Sequence, residues 1–362
     1  MEIRNTGEFQ LIARLTAGKG YDPSVLLGIG DDAAIFQAPA GGSLLACTDM
    51  LVEGVHFLRE KTPPEAVGHK ALAVNLSDIA AMGGIPRHAL VAVGWPPGCP
   101  LDYAEGVYKG LYSLAEEHGV NIIGGDTVRA PVVVINITVI GECHGKAVGR
   151  NGARPGDLLA VTGRVGAAAA GLALLRAGTE ESMEAGVEDH MKKSPEASTG
   201  EAGARGEGGL PAAVKEDLLR AHFFPVPRLR AAAVLTATGA VTAMIDLSDG
   251  LAGDLGRLAA ASGVGALLYA DELPIDSHTR AAAAFLKEDA LRWALYGGED
   301  YELLAALPSE KAAAAREKLA AAGIAFTVVG EVTPAAGGLR VLEEGRIIPL
   351  EARGFDHFSP SS

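Results

Sequence analysis

Aspartates set beside Gly, Ser or Thr recur along this 362-residue chain at the ends of apolar runs, a placement that suits hard-cation binding by oxygen donors. The stretches are Gly28-Ile29-Gly30-Asp31-Asp32, Cys47-Thr48-Asp49, Asn75-Leu76-Ser77-Asp78, Gly124-Gly125-Asp126-Thr127 and Ile245-Asp246-Leu247-Ser248-Asp249-Gly250. Two carboxylates brought to ~5 Å repel by roughly 3 kcal/mol at an effective dielectric of about 20. A convergent set therefore calls for divalent cations, and Mg²⁺ with a nucleotide is the leading reading.

Each piece alone also has a plainer explanation. Gly28–Asp32 fits an ordinary turn; of its two acids Asp31 is the better ligand, and Asp32 is expected to point elsewhere. Asp49 ends a buried run, where an unpartnered carboxylate is costly. Asp78 continues the apolar helical face of Val67, Ala71 and Val74. Gly124-Gly125-Asp126 suits a backbone nest for an anion, and a hairpin turn serves equally. Ser248 and Asp249 fall at helix-start positions, where capping accounts for only one of the polar residues present. Glu299 and Asp300 stand between a glycine pair and an apolar run. The G-x-x-x-x-G-K-S/T and G-x-G-x-x-G signatures and the protein-kinase motifs are missing from the sequence. Phosphate would then be bound largely through metal ions.

The elements that must position these residues alternate between helix and strand. The pattern predicts helices over 8–15, 64–82, 103–117 and 166–176, with strands at 44–48, 89–93, 120–123, 132–140 and 158–161. Farther on it predicts strands at 241–245, 265–269, 301–306 and 326–329 and helices at 251–262 and 309–322. This is an α/β (α+β) architecture. The turn sequence Arg154-Pro155-Gly156-Asp157 separates an N-terminal domain, 1–148, from a C-terminal α/β domain, 149–362. Residues 179–214 hold little that could be buried and read as a disordered acidic insertion. Leu76-Ser77-Asp78 is echoed by Leu247-Ser248-Asp249, a faint hint of duplication.

Composition excludes several classes. A net charge of −14 argues against a nucleic-acid partner. No apolar run approaches the ~18 residues of a membrane span, and Met1-Glu2-Ile3-Arg4 opens no signal peptide, so a cytoplasmic location is expected. Cys47, Cys99 and Cys143 are spaced for neither a disulfide framework nor a zinc site.

Taken in order, the stretches resemble the thiamine-monophosphate kinases of the aminoimidazole-ribonucleotide-synthetase-like superfamily. The matching pieces are 28–33, Thr48-Asp49 through Phe57, Lys70 through Gly83, Gly124–Thr127, Arg154–Asp157, Ile245–Gly250, Gly297 through Leu303 and Gly354-Phe355-Asp356-His357-Phe358. They cover nearly the whole chain apart from the insertion. The resemblance implies a two-domain fold, a homodimer built through the N-terminal sheets with ATP near the interface, and transfer of the ATP γ-phosphoryl group to thiamine monophosphate. It implies several Mg²⁺ ions among Asp31, Cys47, Thr48, Asp49, Asp78, Asp126, Asp246 and Asp249, with Cys47 giving its carbonyl because a thiol is a poor Mg²⁺ ligand. It places ATP against Asp31, Tyr108, Gly125, Asp126, Arg150 and Ser248, and the thiamine substrate against His56, Glu299 and Phe355. Phe355 stands where such enzymes tend to carry Tyr or Trp; stacking on a thiazolium survives that change, a hydroxyl contact does not. Two other readings remain: a sister ATP-dependent synthetase of the same superfamily, or a non-catalytic Mg²⁺- or nucleotide-binding protein. Residues 1–30 hold no cysteine of the kind selenophosphate synthetases use, and the chain ends in Ser361-Ser362 rather than a cysteine tail.

Overall fold

The computed structural model of the protein describes residues 25–27, 31–32, 34–37, 43–178 and 209–355. The expected first helix, the glycines of the 28–32 stretch, most of the 179–214 insertion, and His357 with Phe358 lie outside the described residues. The first half forms β1 (Val25–Leu27), β2 (Ala34–Gln37), β3 (Ser43–Val52), α1 (Pro64–Ala81), β4 (Ile85–Trp95), α2 (Leu101–Glu117), β5 (Asn121–Arg129) and β6 (Val134–Cys143). The second half begins with β7 (Asp157–Thr162), α3 (Ala167–Arg176), α4 (Ala212–Phe223), α5 (Leu229–Ala237), β8 (Ala243–Asp246), α6 (Leu251–Ser262) and β9 (Val264–Tyr269). It ends with α7 (Ser277–Leu286), α8 (Ala290–Tyr296), β10 (Leu303–Pro308), α9 (Ser309–Ala321), β11 (Phe326–Pro334), β12 (Leu339–Glu343) and β13 (Arg346–Pro349). Among the described residues each half has one sheet, in the orders β1-β2-β3-β6-β4-β5 and β13-β12-β9-β11-β7-β10-β8. The mixed α/β architecture is the one the sequence pattern called for.

Helix α1 does most to place the functional residues. Proline at its first position starts it, and it is apolar on nearly every face, so it is enclosed on all sides rather than half-exposed. Leu72, Leu76 and Ile79 pack with Leu45 of β3, Val91 of β4 and Ile137 and Val139 of β6. The helix also touches β8 and α5, so it lies along the seam between the halves. Its fit against α2 is close: a Cβ at Gly68 would fall 1.8 Å from the Val107 oxygen, and one at Gly110 would fall 1.9 Å from the Glu65 oxygen.

Strand β3 shows why alternation matters. Leu45, Cys47 and Leu51 turn into the core, and Asp49 shares their face. Thr48 and Met50 turn to the opposite face, where both are exposed among the described residues, Met50 at 51%.

Several expectations are corrected. The 120–123 strand does not stop at a turn; β5 continues through Gly124, Gly125 and Asp126, paired in parallel with β4. The backbone is therefore laddered on that side and forms no nest. A Cβ at Gly125, whose φ is +153°, would lie 1.8 Å from the Val91 oxygen. The insertion ends earlier than residue 214, because Leu210 and Val214 are buried and α4 starts at Ala212. Helices α4, α5, α7 and α8 and strands β1, β2, β12 and β13 were not anticipated.

Because α1 carries Lys70, Ser77 and Asp78, its seat against α2 can be tested. Gly110→Ala forces a methyl into the Glu65 backbone and should cost about 1–3 kcal/mol of stability, read by urea denaturation.

Candidate active site

Three carboxylates meet at the seam: one oxygen each of Asp32, Asp78 and Asp246 lies within 4.8 Å of the others. Each arrives on a different element. Asp78 is in the last turn of α1, Asp246 ends β8, and Asp32 sits between β1 and β2. Asp49 of β3 joins through a hydrogen bond with Asp78, and Asp249 adds its charge to both Asp49 and Asp246. At 4.8 Å and an effective dielectric of about 20, each pair of ionised groups repels by roughly 3 kcal/mol.

The titration of these acids records that crowding. Burial first, then the Asp246 charge, pushes Asp32 up to about 8, against the pull of Arg150. Burial raises Asp49 to about 6. It raises Asp246 to about 6 as well, although Ser77 and Arg150 stabilise the anion. Asp78 is pushed well above the usual carboxylate range by burial and then by Asp49, Asp246 and Asp32.

A few donors temper the cluster. The Ser77 hydroxyl donates to Asp246 at 2.7 Å. Asp246 immediately precedes Leu247-Ser248-Asp249, the echo of Leu76-Ser77-Asp78, so this bond brings the two stretches together. Arg150 donates through its side chain to Asp32, while its backbone N–H reaches Asp31 at 3.0 Å and its Nε lies 3.2 Å from Asp31. Arg257 bridges Asp249 and the fully buried Asp254. Asp254 in turn accepts the Asp249 N–H at 3.1 Å. Helix α6 begins at Leu251 with Gly250 at its N-cap position and no side-chain cap; neither Ser248 nor Asp249 caps it, which corrects that expectation.

The two adjacent acids of the first stretch have different neighbours. Asp32 belongs to the triad, and Asp31 serves Arg150 and the Asp32 N–H. Cys47 sends its thiol to the Asn75 carbonyl at 3.3 Å, away from ligand duty. The Thr48 hydroxyl bonds the Ile137 carbonyl at 3.1 Å on the opposite face of the sheet, so Thr48 can offer the cluster only its backbone. Asp126 and Gly125 stand on β5, three strand spacings from β3, or about 14 Å. Tyr108 packs on the first core beside Tyr112. Among the described residues no hydrogen bond or ion pair joins Gly125, Asp126 or Tyr108 to the cluster.

The segment Gly297–Tyr301 packs against the other side of Asp249. The Glu299 N–H donates to the Ser248 carbonyl and the Tyr301 N–H to the Leu247 carbonyl, both at 2.8 Å. Glu299 and Tyr301 have φ of +69° and +48°, left-handed values that cost non-glycine residues on the order of 1–3 kcal/mol each. The Asp300 carboxylate anchors the segment by accepting the Gly166 N–H at 2.7 Å and the Ala168 N–H at 3.2 Å, at the start of α3. Glu299 meets Lys70 at 2.9 Å and His222 at 3.0 Å. Burial alone would raise its carboxyl, but these two neighbours outweigh burial and hold it well below the usual range. Phe355 is 39% exposed, and its N–H donates to the Asp249 carbonyl at 3.2 Å. His56 sits in the turn after β3, its Nδ1 accepting the Val52 N–H at 3.0 Å.

Residues 30–143 match the family model for the N-terminal domain of AIR synthase related proteins, and residues 154–341 match the C-terminal domain. The thiamine-monophosphate kinase of Bacillus subtilis (strain 168) is 36% identical over 354 residues, 97% of this chain and 99% of that protein. The chain belongs to the thiamine-monophosphate kinase family. As a member it is a phosphotransferase. The thiamine-monophosphate kinase of Escherichia coli (strain K12) is also 36% identical, over 98% of both chains. A solved structure described as AaThiL complexed with AMPPCP and TMP superposes with a TM-score of 0.79 at 30% identity, covering 99% of each chain.

The acidic cluster makes stability depend on pH in a definite direction. Asp32, Asp49, Asp78 and Asp246 have folded-state pKa values raised above the ~3.9 of an unfolded aspartate. Their contribution to stability is fully present below about pH 4 and is lost as pH rises through about 6 to 8. A divalent cation needs the ionised forms, so it should restore more stability the higher the pH. The rise in melting temperature on adding Mg²⁺ is expected to be small at pH 5.5 and several degrees at about pH 8.5. In Asp32→Asn that increment shrinks, and the metal-free protein loses less stability toward high pH.

Proposed function

We propose that this chain transfers the γ-phosphoryl group of ATP to thiamine monophosphate, giving ADP and thiamine diphosphate. The observation that carries the reading is the meeting of Asp32, Asp78 and Asp246, drawn from both halves of a chain that aligns end to end with thiamine-monophosphate kinases. The solved relative with AMPPCP, an ATP analogue, and TMP supports the pairing of a nucleotide with thiamine monophosphate.

The donor set fits a hard divalent cation. It is made of carboxylate oxygens, with the one nearby thiol turned to a carbonyl, and its acids are held in a state that a cation would relieve. Asp32, Asp49, Asp78 and Asp246 would hold Mg²⁺, with Asp31, Asp126, Asp249 and the backbone of Cys47 and Thr48 as further donors. Bound there, Mg²⁺ would neutralise phosphate charge and so let an anionic acceptor approach a polyphosphate.

The chain's own residues do the rest. Arg150, already a counter-ion to Asp31 and Asp32, would turn part of its guanidinium to ATP, along with Tyr108, Gly125, Asp126 and Ser248. His56, Glu299 and Phe355 would receive the thiamine moiety, Glu299 as an anion and Phe355 as an exposed ring for a cationic heterocycle. The acceptor oxygen needs no general base, because a phosphate monoester has its second pKa near about 6 and is largely dianionic at neutral pH. Transfer is therefore direct, with no phosphoenzyme.

The reading includes a homodimer. Its support is the sheet face exposed around Thr48 and Met50 among the described residues, together with the edge strand β5, where Ile123 and Val128 are each more than half exposed. A pair of such sheets would bring β5 and its Asp126 against a second copy. It also includes folding as two domains, 1–148 and 149–362, each around its own sheet.

The test is ADP release with thiamine monophosphate, with thiamine and without acceptor, each in Mg²⁺ and in EDTA. Turnover is expected with the monophosphate and Mg²⁺ alone, yielding thiamine diphosphate. Nucleotide binding without that turnover would sink the reading. Acid-quenched enzyme incubated with γ-labelled ATP should carry no label; a covalent phosphoryl group surviving denaturation would rule out direct transfer.

A further inference from the structure

Glu299 is held from behind by two residues that the reaction has not yet accounted for. Lys70 comes from α1 in the first half, and His222 comes from the end of α4 in the second. Lys70 Nζ lies 2.9 Å from Glu299 Oε1, and His222 Nδ1 lies 3.0 Å from Oε2. The two supports are enclosed: each keeps 4% of its side-chain surface, against 24% for Glu299. The carboxylate is thus the one member of the trio that opens outward. A carboxylate has about four lone-pair positions; the Lys70 ammonium donates to Oε1 and His222 Nδ1 lies beside Oε2 without a formed hydrogen bond, so two neighbours do not exhaust its accepting capacity.

The surroundings argue that this is more than a tie between halves. A lysine this deep needs a partner, and any acid would satisfy that need. Here the acid sits instead on a segment fixed from three directions. Its backbone is bonded to Ser248 and Leu247, the adjacent Asp300 is bonded to the start of α3, and Glu299 and Tyr301 both take left-handed backbone angles. Strained residues held by over-determined surroundings are typical of sites that must present a group in one orientation. Lys70 also lies two helical turns before Ser77, so one face of α1 supports Glu299 at one end and Asp246 at the other.

We propose that Lys70 and His222 are positioning residues for substrate recognition, fixing the Glu299 carboxylate toward donor groups or the cationic ring of the phosphoryl acceptor. The inference rests on the reading that Glu299 meets the thiamine moiety, and it assigns Lys70 and His222 no contact with ATP or the transferred phosphoryl group. The lost support acts on acceptor binding and leaves the nucleotide side alone.

The experiment is steady-state kinetics on the full-length enzyme with Mg²⁺-ATP and thiamine monophosphate. Lys70→Met keeps the aliphatic stem and removes the ammonium; it should raise KM for thiamine monophosphate about tenfold or more, the range expected when a charge-assisted hydrogen bond is lost. KM for ATP should stay within about twofold, the split expected for a residue acting on one substrate only. His222→Gln, which keeps a polar group against Oε2, should retain acceptor affinity better than His222→Phe. Should Lys70→Met be too unstable to assay, Lys70→Met/Glu299→Gln compared with Glu299→Gln answers the same question with no charge left unpaired. Equal KM values for that pair support action through Glu299; a further tenfold rise in the double variant overturns it. Wild-type turnover with unchanged acceptor KM in Lys70→Met, or an equal rise in the KM for ATP, overturns the inference alone. Wild-type enzyme inactive on thiamine monophosphate overturns the functional reading and this inference with it.

Discussion

Like charges held together at a seam are the constraint on which the rest of the structure depends. Asp32, Asp78 and Asp246 stand close enough to repel strongly, and they come from both halves of the chain. No single element could impose that arrangement, because a flexible carboxylate would swing into water. Rigid carriers are needed, and α1 is the clearest case. Its apolar residues face two cores at once, and Gly68 and Gly110 let it lie close to α2. With the helix fixed on all sides, Asp78 has little freedom to retreat. On the other half, β8 delivers Asp246 from the edge of a seven-stranded sheet, where β10 holds it in register against Leu303. The acids meet because the two cores dock along α1.

Two kinds of carboxylate lie near one another here, and their environments push them apart. Asp32, Asp49, Asp78 and Asp246 have few cations to offset burial and mutual repulsion, so they hold protons up to or near neutral pH. Glu299 is buried as well, yet Lys70 and His222 keep it anionic. Acids separated in this way have separable roles. The first group favours its protonated form where no cation is near, and the second is held well below the usual carboxylate range. Proteins place such contrasts where function needs them and make up the stability elsewhere, as the almost wholly buried α1 does here.

Much of this was legible in the sequence, and the gaps have physical causes. The helical period placed Val67, Ala71, Val74 and Asp78 on one face, and α1 occupies almost the span that period defines. Helix α6 begins and ends where the pattern put it, at Leu251 and Ser262. What period cannot show is the direction a side chain takes out of a turn, and so it did not reveal that Asp32 faces Asp78 and Asp246 while Asp31 faces Arg150. Nor does a glycine pair reveal whether it turns or lets a strand pass close to its neighbour. At Gly125 the close approach to Val91 was the reason. Helices α4 and α5 follow a long polar stretch and carry short apolar runs, so local pattern gave them little weight. His222 on α4 was hidden with them. Lys70 stood within a recognised stretch, but a lone lysine on a helix gives no sign that its partner lies 229 positions away.

Under the proposed reaction, the character of the acceptor explains why a site of this kind can work with acids in place of a base. A phosphate monoester arrives with its nucleophilic oxygen already unprotonated near neutral pH. Activation of the nucleophile is then no obstacle; the obstacle is the charge of two phosphate-bearing molecules brought together. Carboxylates cannot relieve that charge by themselves and would worsen it, which is why the proposed reading gives the cluster cations to hold. The same cluster opposes folding while its acids are ionised and unneutralised. Neutralisation therefore serves stability and phosphate binding through the same atoms. A substitution that eased the repulsion, by removing one acid, would stabilise the metal-free chain and weaken the site in the same step.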